Sequence, residues 1–299
     1  MLEIKKYGAI DIGSNAIRLL ISNVIISKNN DPKFKKSALV RVPIRLGADA
    51  FVNEGIITDK NITRMINAMK AFKLLMDVHG VERYKTCATS AMREAKNGKE
   101  VTEKIFNETD IKIDIIGGKE EAAIISSTDL NDLISGNNSY LYVDVGGGST
   151  EFTLFSQGKI VTSKSFKMGT VRLLGNKKSV NKEIFANVEK WIKKNTKGIK
   201  KVSLIGSGGN INRLFKMSGR TEGKPISYIY LNAQYQFLKQ MTYEERISEL
   251  SLNPDRADVI IPATKIYLSA MKWSGARKIY VPKIGLSDGI IKSLYYNKL

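Results

Sequence analysis

One cysteine and one histidine stand in 299 residues. Cys87 alone excludes an internal disulfide, which fits a reducing compartment. Together with His79 it is too little for a zinc cluster or a cysteine–histidine nucleophile pair. His79 falls at the end of a helical pattern just before Gly80, and Cys87 falls in a strand pattern, so both read as structural. Long apolar runs are missing too, with no stretch near the roughly 18 residues that a membrane span needs. The opening MLEIKKYGAIDIGSN runs straight into a motif without a cleavable signal pattern, and a cytoplasmic location is the resulting expectation. Acidic residues are scarce, 29 against 48 Lys and Arg, for a formal charge of +19. The lysines are densest at 33–36, 177–182 and 193–201. Such a charge draws polyanions inward, and the candidates are nucleic acid, polyphosphate and a highly phosphorylated nucleotide. No helix-turn-helix, zinc-finger or aromatic RNA-binding signature accompanies it, which disfavours nucleic acid.

What the chain does contain is a repeated loop. DIGSN at 11–15 and DVGGGSTE at 144–151 each follow an apolar run that reads as a strand. An aspartate at a strand tip can hold a divalent metal, and glycines behind it let backbone N–H groups approach phosphate oxygens closely. The elements around the two loops repeat as well. Strands are expected at 9–12, 17–26, 38–46, 83–88 and 111–116, with helices at 59–78, near 91, from 99 and from 119. In the second half strands are expected at 139–145, 151–156, 159–166, 202–205 and 278–281. Helices there are expected at 171–174, 181–194, from 211, at 232–241, 243–251, 256–273 and from 285. The polar, turn-rich stretch 129–138 reads as the join, giving domains 1–134 and 135–299. The repetition predicts a duplicated α/β fold with a phosphate-binding cleft between its halves.

Several segments resemble one family. AIDIGSNAIRLLI and VDVGGGSTEFTL look like its two phosphate loops. TSAMREAKNG, IIGGKEEAAII and RLGADAFVNEGIIT resemble the stretches that accompany them, and KMGTVRLL, LIGSGGNINRL, RADVIIPATKIY and IGLSDGII continue the likeness. On these motifs the chain is identified as a member of the exopolyphosphatase and guanosine pentaphosphate phosphohydrolase family, in its short two-domain form. The resemblance implies two ribonuclease-H-like domains of the actin, sugar-kinase and Hsp70 superfamily. Longer members carry a C-terminal HD-like domain, for which a single histidine cannot supply the metal site.

Phosphoanhydride hydrolysis requires neutralised phosphoryl oxygens, an in-line water and a group that orients that water. Gly13, Ser14, Asn15, Gly146, Gly147, Gly148, Ser149 and Thr150 are the candidate phosphate donors. By the resemblance, Arg18 and Arg93 match basic positions that contact phosphate. Asp144 and Asp11 are the metal candidates, with Asp144 favoured, for Mg²⁺ or Mn²⁺. Glu121 matches the family's glutamate that acts on water. Its neighbour Glu120 points about 100° away on a helix, so only one of the two can serve. Glu151 is the second carboxylate, binding metal or assisting the water. Arg45 and Arg256 read equally as structural residues, and Trp191 and Trp273 as packing. The loop Gly206, Gly208 and Gly209 stands open between three roles: receiving a guanosine, lining a polyphosphate channel, or allowing tight helix packing.

The resulting expectation is an exopolyphosphatase that removes terminal phosphate from inorganic polyphosphate. Hydrolysis of the 5′-γ-phosphate of guanosine pentaphosphate is its near alternative. An ATP-dependent small-molecule kinase and a non-catalytic sensor of phosphorylated nucleotides share the same loops. No membrane partner is expected, and a homodimer is left open.

Overall fold

The computed structural model describes residues 2–298 except 29, 127, 129–133 and 135–137, and leaves the side chain of 126 undescribed. The join expected at 129–138 therefore lies largely outside the described residues. The chain forms two compact units, Met1–Thr128 with Ile284–Leu299, and Asp129–Lys283.

Unit 1 is built on a sheet of β1 (Glu3–Ile12), β2 (Ile17–Ser27), β3 (Asn30–Val42), β4 (Arg83–Ala88) and β5 (Asp114–Ile115), in the order β3-β2-β1-β4-β5. The pairs β1–β2 and β2–β3 are antiparallel, and β1–β4 and β4–β5 are parallel. Strand β1 is buried from Tyr7 onward, as a central strand covered on both faces must be. Helix α1 (Leu46–Phe51) and helix α2 (Asp59–His79) follow β3. Along α2, Ile62, Met65, Ile66, Met69, Phe72 and Met76 recur at helical spacing and enter the core. Each such buried side chain is worth about 1.5–3 kcal/mol over its exposed state. Gly80, at φ 67°, ends α2 by donating to Asp77 and Met76 carbonyls, a left-handed cap that only glycine adopts cheaply. Helices α3 (Ser90–Glu94), α4 (Gly98–Thr109) and α5 (Gly118–Ser126) complete the first stretch.

Unit 2 is built on β6 (Ser139–Val145), β7 (Thr150–Ser156), β8 (Lys159–Phe166), β9 (Val202–Ser207), β10 (Ile226–Ser227) and β11 (Lys278–Tyr280), in the order β10-β11-β9-β6-β7-β8. Pairs β6–β7 and β7–β8 are antiparallel, whereas β6–β9 and β9–β11 are parallel. Its helices are α6 (Thr170–Gly175), α7 (Lys178–Thr196), α8 (Gly209–Met217), α9 (Tyr228–Gln240), α10 (Tyr243–Ser248), α11 (Pro254–Ala257) and α12 (Ile260–Ser274). Helix α12 is buried along most of its length and carries Tyr267 into the core. Trp191 packs its ring against Phe152 and Phe166, and Trp273 against Phe185.

Without the edge strand β10, unit 2 repeats the order and the pairing sense of unit 1. The duplicated α/β arrangement expected from the repeated element order is thus present in both units. The last helix, α13 (Leu286–Tyr295), returns to unit 1 and packs on α5, β1, β2 and β4. Gly289 permits that approach: a Cβ there would lie 2.3 Å from the Ile124 carbonyl oxygen.

Some expected boundaries move. The strand expected at 38–46 ends at Val42, because Pro43 lacks the N–H to continue a ladder, and 46–51 is helical. The helix expected at 256–273 is broken into α11 and α12, and the strand expected at 111–116 shortens to Asp114–Ile115.

Candidate active site

The two aspartate loops sit at equivalent places, at the ends of β1 and β6. In unit 1 the ladders align Cys87, Asp11, Arg18 and Arg41 as a row across β4, β1, β2 and β3. In unit 2 the matching row is Ser207, Asp144, Glu151 and Ser165 across β9, β6, β7 and β8. Residues directly opposed in a sheet share a face and interact.

In unit 1 the expected metal ligand and an expected phosphate ligand are each other's partner. Arg18 Nη1 donates to Asp11 Oδ2 at 3.3 Å, with the Asp11 side chain 9% and the Arg18 side chain 36% exposed. Burial pushes the Asp11 carboxyl above its ordinary pKa, and the guanidinium opposes that shift. The rest of the loop is engaged in its own framework. Gly13 N–H donates to Ala16 O, Gly47 N–H to Ser14 O at 2.7 Å, and the Ser14 hydroxyl meets that of Ser90 at 3.0 Å. Arg45 Nε donates to Asn15 Oδ1 at 2.8 Å, so Arg45 braces the loop. Arg93 Nη1 donates to the Ile116 carbonyl at 2.6 Å, tying α3 to the segment before α5. On the first turn of α5, Glu120 is exposed and Glu121 partly buried. That difference separates the two glutamates as helical geometry requires.

In unit 2 the loop 146–149 rests on the start of α6. Gly146 O accepts from Thr170 N–H, Gly147 O from Val171 and Arg172 N–H, and Gly148 O from Arg172 Nε at 2.9 Å. These bonds take up carbonyl oxygens and use none of the N–H groups of Gly147 and Gly148. A loop whose carbonyls are fixed on one side can offer its N–H groups to an anion on the other. Gly169 makes the contact possible, since a Cβ there would lie 2.2 Å from Gly147 O. Thr150, fully buried, donates its hydroxyl to Met168 O and supports the loop from beneath.

Two carboxylates follow the loop's two sides. Asp144 Oδ2 accepts from Ser207 Oγ at 3.1 Å and from the Tyr142 phenol at 3.4 Å. Burial first, and then the Asp144 charge, hold the Tyr142 phenol well above its usual pKa, so it stays protonated as a donor. Glu151, 3% exposed, accepts on Oε1 from Ser149 Oγ at 2.7 Å and from Ser165 Oγ at 2.9 Å. Like charges opposed across a ladder destabilise it, and these hydroxyls offset part of that cost.

The glycines of the 206–209 loop acquire packing reasons. A Cβ on Gly206 would lie 2.8 Å from Ile279 Cδ1. Gly208 stands at φ 113°, and a Cβ there would lie 2.9 Å from Val145 O and 3.4 Å from Asp144 Oδ1. Tyr267 OH donates to Ser207 O, and Arg256 Nη1 to Gly209 O at 3.2 Å. This loop thereby buttresses the Asp144 strand end.

Among the described residues no group of three or more His, Cys, Asp or Glu side chains gathers as a metal cluster. A paired Asp144 and Glu151 fits Mg²⁺, which is held by one or two carboxylates and keeps several waters. It does not fit structural zinc, which wants four nitrogen or sulfur ligands. Sequence reasoning passed over Ser165, Ser207, Ser90 and Tyr142. Gly169 lay in the quoted KMGT segment, and its place beside the loop was its signal.

The Ppx/GppA phosphatase family model matches residues 25–298. The chain belongs to that family. It is 31% identical over 301 residues to the bifunctional 3-dehydroquinate synthase/phosphatase of Fusobacterium nucleatum subsp. nucleatum, across 91% of this chain and 44% of that relative. It thus spans less than half the length of that protein. Exopolyphosphatase 2 of Mycobacterium tuberculosis H37Rv is 25% identical over 324 residues, covering 98% of this chain and 99% of the relative. The crystal structure of the Aquifex aeolicus Ppx/GppA family member aligns with a TM-score of 0.79 at 25% identity, over 99% of each chain. Among the described residues no helix is long and apolar enough to cross a membrane.

Proposed function

We propose that the protein is a Mg²⁺-dependent exopolyphosphatase that hydrolyses the terminal phosphoanhydride of inorganic polyphosphate. Water attacks the terminal phosphorus, the bridging P–O bond breaks, and orthophosphate leaves a chain one phosphate shorter. The observation that carries this reading is the carboxylate pair Asp144 and Glu151 beside a glycine loop whose carbonyls are tied to α6. The N–H groups of Gly147 and Gly148 bind the terminal phosphoryl oxygens. Asp144, with Glu151 beside it, would hold the cation, which when bound neutralises phosphoryl charge. Glu121 orients or deprotonates the water, a role resting on the GGKEEA motif and consistent with its partial burial. Arg18 stabilises Asp11 and its loop.

The formal charge of +19 and the relative called exopolyphosphatase 2 favour a polyphosphate chain over a nucleotide. Hydrolysis of guanosine pentaphosphate is the second reading, since the same loop accepts the same terminal group. Phosphate release from short polyphosphate, long polyphosphate and guanosine pentaphosphate, each with Mg²⁺, decides between them. Glu121→Gln is expected to lose about 100-fold or more in kcat. Inactivity of the wild type on all three substrates sinks the hydrolase reading, and ATP consumption that rises with an acceptor alcohol redirects it to a kinase.

A further inference from the structure

Glu151 Oε1 takes two hydroxyl protons from opposite directions in the chain. One comes from Ser149, the last residue before β7, and the other from Ser165 on the neighbouring strand β8. A serine hydroxyl has a single proton to give. While Ser149 donates to Glu151 it cannot donate to a phosphate oxygen, and it turns lone pairs toward any anion in the loop. A phosphate group entering the loop therefore competes with Glu151 for that proton. If Ser149 alone held Oε1, turning to phosphate would cost a nearly buried carboxylate its donor hydroxyl. Such a loss is expensive because the charged group has left bulk water. Ser165 removes that conflict, since its hydroxyl reaches the same oxygen from a strand outside the loop.

The placement of Ser165 depends on an irregularity. Near the turn β7 and β8 pair Ser156 with Lys159 and Phe155 with Ile160, but beyond a register shift Leu154 pairs with Thr162 and Glu151 with Ser165. Continued without the shift, the first register would set Lys164 opposite Glu151. A lysine there would compete for the carboxylate as an ion pair, much as Arg18 does with Asp11 in unit 1. The bulge instead places a hydroxyl donor opposite Glu151, where it reaches Oε1 at 2.9 Å.

We propose that Ser165 is a positioning residue: it retains Glu151 through Oε1 while Ser149 transfers its hydroxyl from Glu151 to an oxygen of the bound phosphate. This rests on the reading of 146–150 as the terminal-phosphate loop. Ser165 itself is exposed, so removing its hydroxyl leaves the core of unit 2 intact.

The test is a binding cycle with a methylene-bridged triphosphate analogue, which cannot be hydrolysed, titrated by calorimetry in the presence of Mg²⁺. Ser165→Ala is expected to weaken binding about 10-fold, the scale of one hydrogen bond to a charged group. In the Ser149→Ala background the same change is expected to do almost nothing, because no hydroxyl remains to be handed over. Ser165→Thr, which keeps the hydroxyl, is expected to bind within about 3-fold of wild type, as a conservative retention of one donor should. Equal weakening in both backgrounds, or none in either, overturns the proposal and leaves the phosphate loop standing. A wild type that binds no analogue, while melting as a folded protein, removes the loop reading and this inference with it.

Discussion

The row Cys87–Asp11–Arg18–Arg41 and the row Ser207–Asp144–Glu151–Ser165 occupy one register of one topology, yet their charges oppose each other. Unit 1 sets a single carboxylate beside two guanidinium groups, and its aspartate is ion-paired. Unit 2 sets two carboxylates side by side between neutral hydroxyls. The first arrangement is self-sufficient. The second sets two like charges at opposed positions and softens them with hydroxyl donors. Duplication of a fold thus need not duplicate its chemistry, because one cross-strand position sets whether the aspartate faces a guanidinium or a second carboxylate.

The most severe way to break the comparison is to copy one row into the other. Glu151→Arg gives Asp144 the partner that Asp11 has. Phosphate release is expected to fall by on the order of 10³-fold, measured on protein whose thermal melting shows that it is folded. Retained activity in that variant would mean that the carboxylate row is not where the chemistry occurs.

A smaller effect is expected in unit 1, and on stability. Burial raises the folded-state pKa of Asp11 above its ordinary value of 3.8, and Arg18 only partly opposes this. An acid shifted upward contributes stability that is fully present below its unfolded pKa and is lost as pH rises through the folded one. Wherever it is ionised, the buried carboxylate is therefore a liability. Asp11→Asn is expected to raise the melting temperature at pH 7 by roughly 2–4 °C, the scale of about 1 kcal/mol in a chain of this size. The gain should shrink as pH is lowered toward 4. A variant that melts lower at pH 7 would show that the Arg18 pair outweighs the burial of Asp11.

The smallest effect concerns the outer position of the row, Cys87 in unit 1 and Ser207 in unit 2. Burial pushes the Cys87 thiol up to about 12, so little thiolate exists at working pH. Iodoacetamide at pH 8 is expected to label native protein on the order of 100-fold more slowly than protein unfolded in urea, with no change in phosphate release. Rapid labelling of the native chain would show that this end of the row opens to solvent.

The two aspartate loops were legible because they are local in sequence. Asp-x-Gly after an apolar run fixes a strand end and the loop that follows, and the repeated element order gives the topology. The partners that tune each loop lie far along the chain, 30 residues away for Arg45 and Asn15 and 63 for Ser207 and Asp144. Ser165 was hidden for a different reason. The hairpin between β7 and β8 has a readable turn, but counting back from it places Lys164 opposite Glu151. A single-residue bulge shifts the pairing, and such a shift changes which side chain meets which without any strong local signature. Arg18 illustrates the converse, a residue whose type was read as phosphate-binding and whose nearest obligation is an aspartate across the ladder.

Helix α13 has a consequence for how the molecule comes into being. It packs on β1, β2, β4 and α5, so a central part of unit 1 is supplied by residues 286–295, after the whole of unit 2 has been made. During synthesis the earlier half must wait, its sheet uncovered on the side that α13 will occupy, until the later half has emerged. Unit 2 has a continuous sequence and faces no such delay. The ribosome thus finishes second what it starts first.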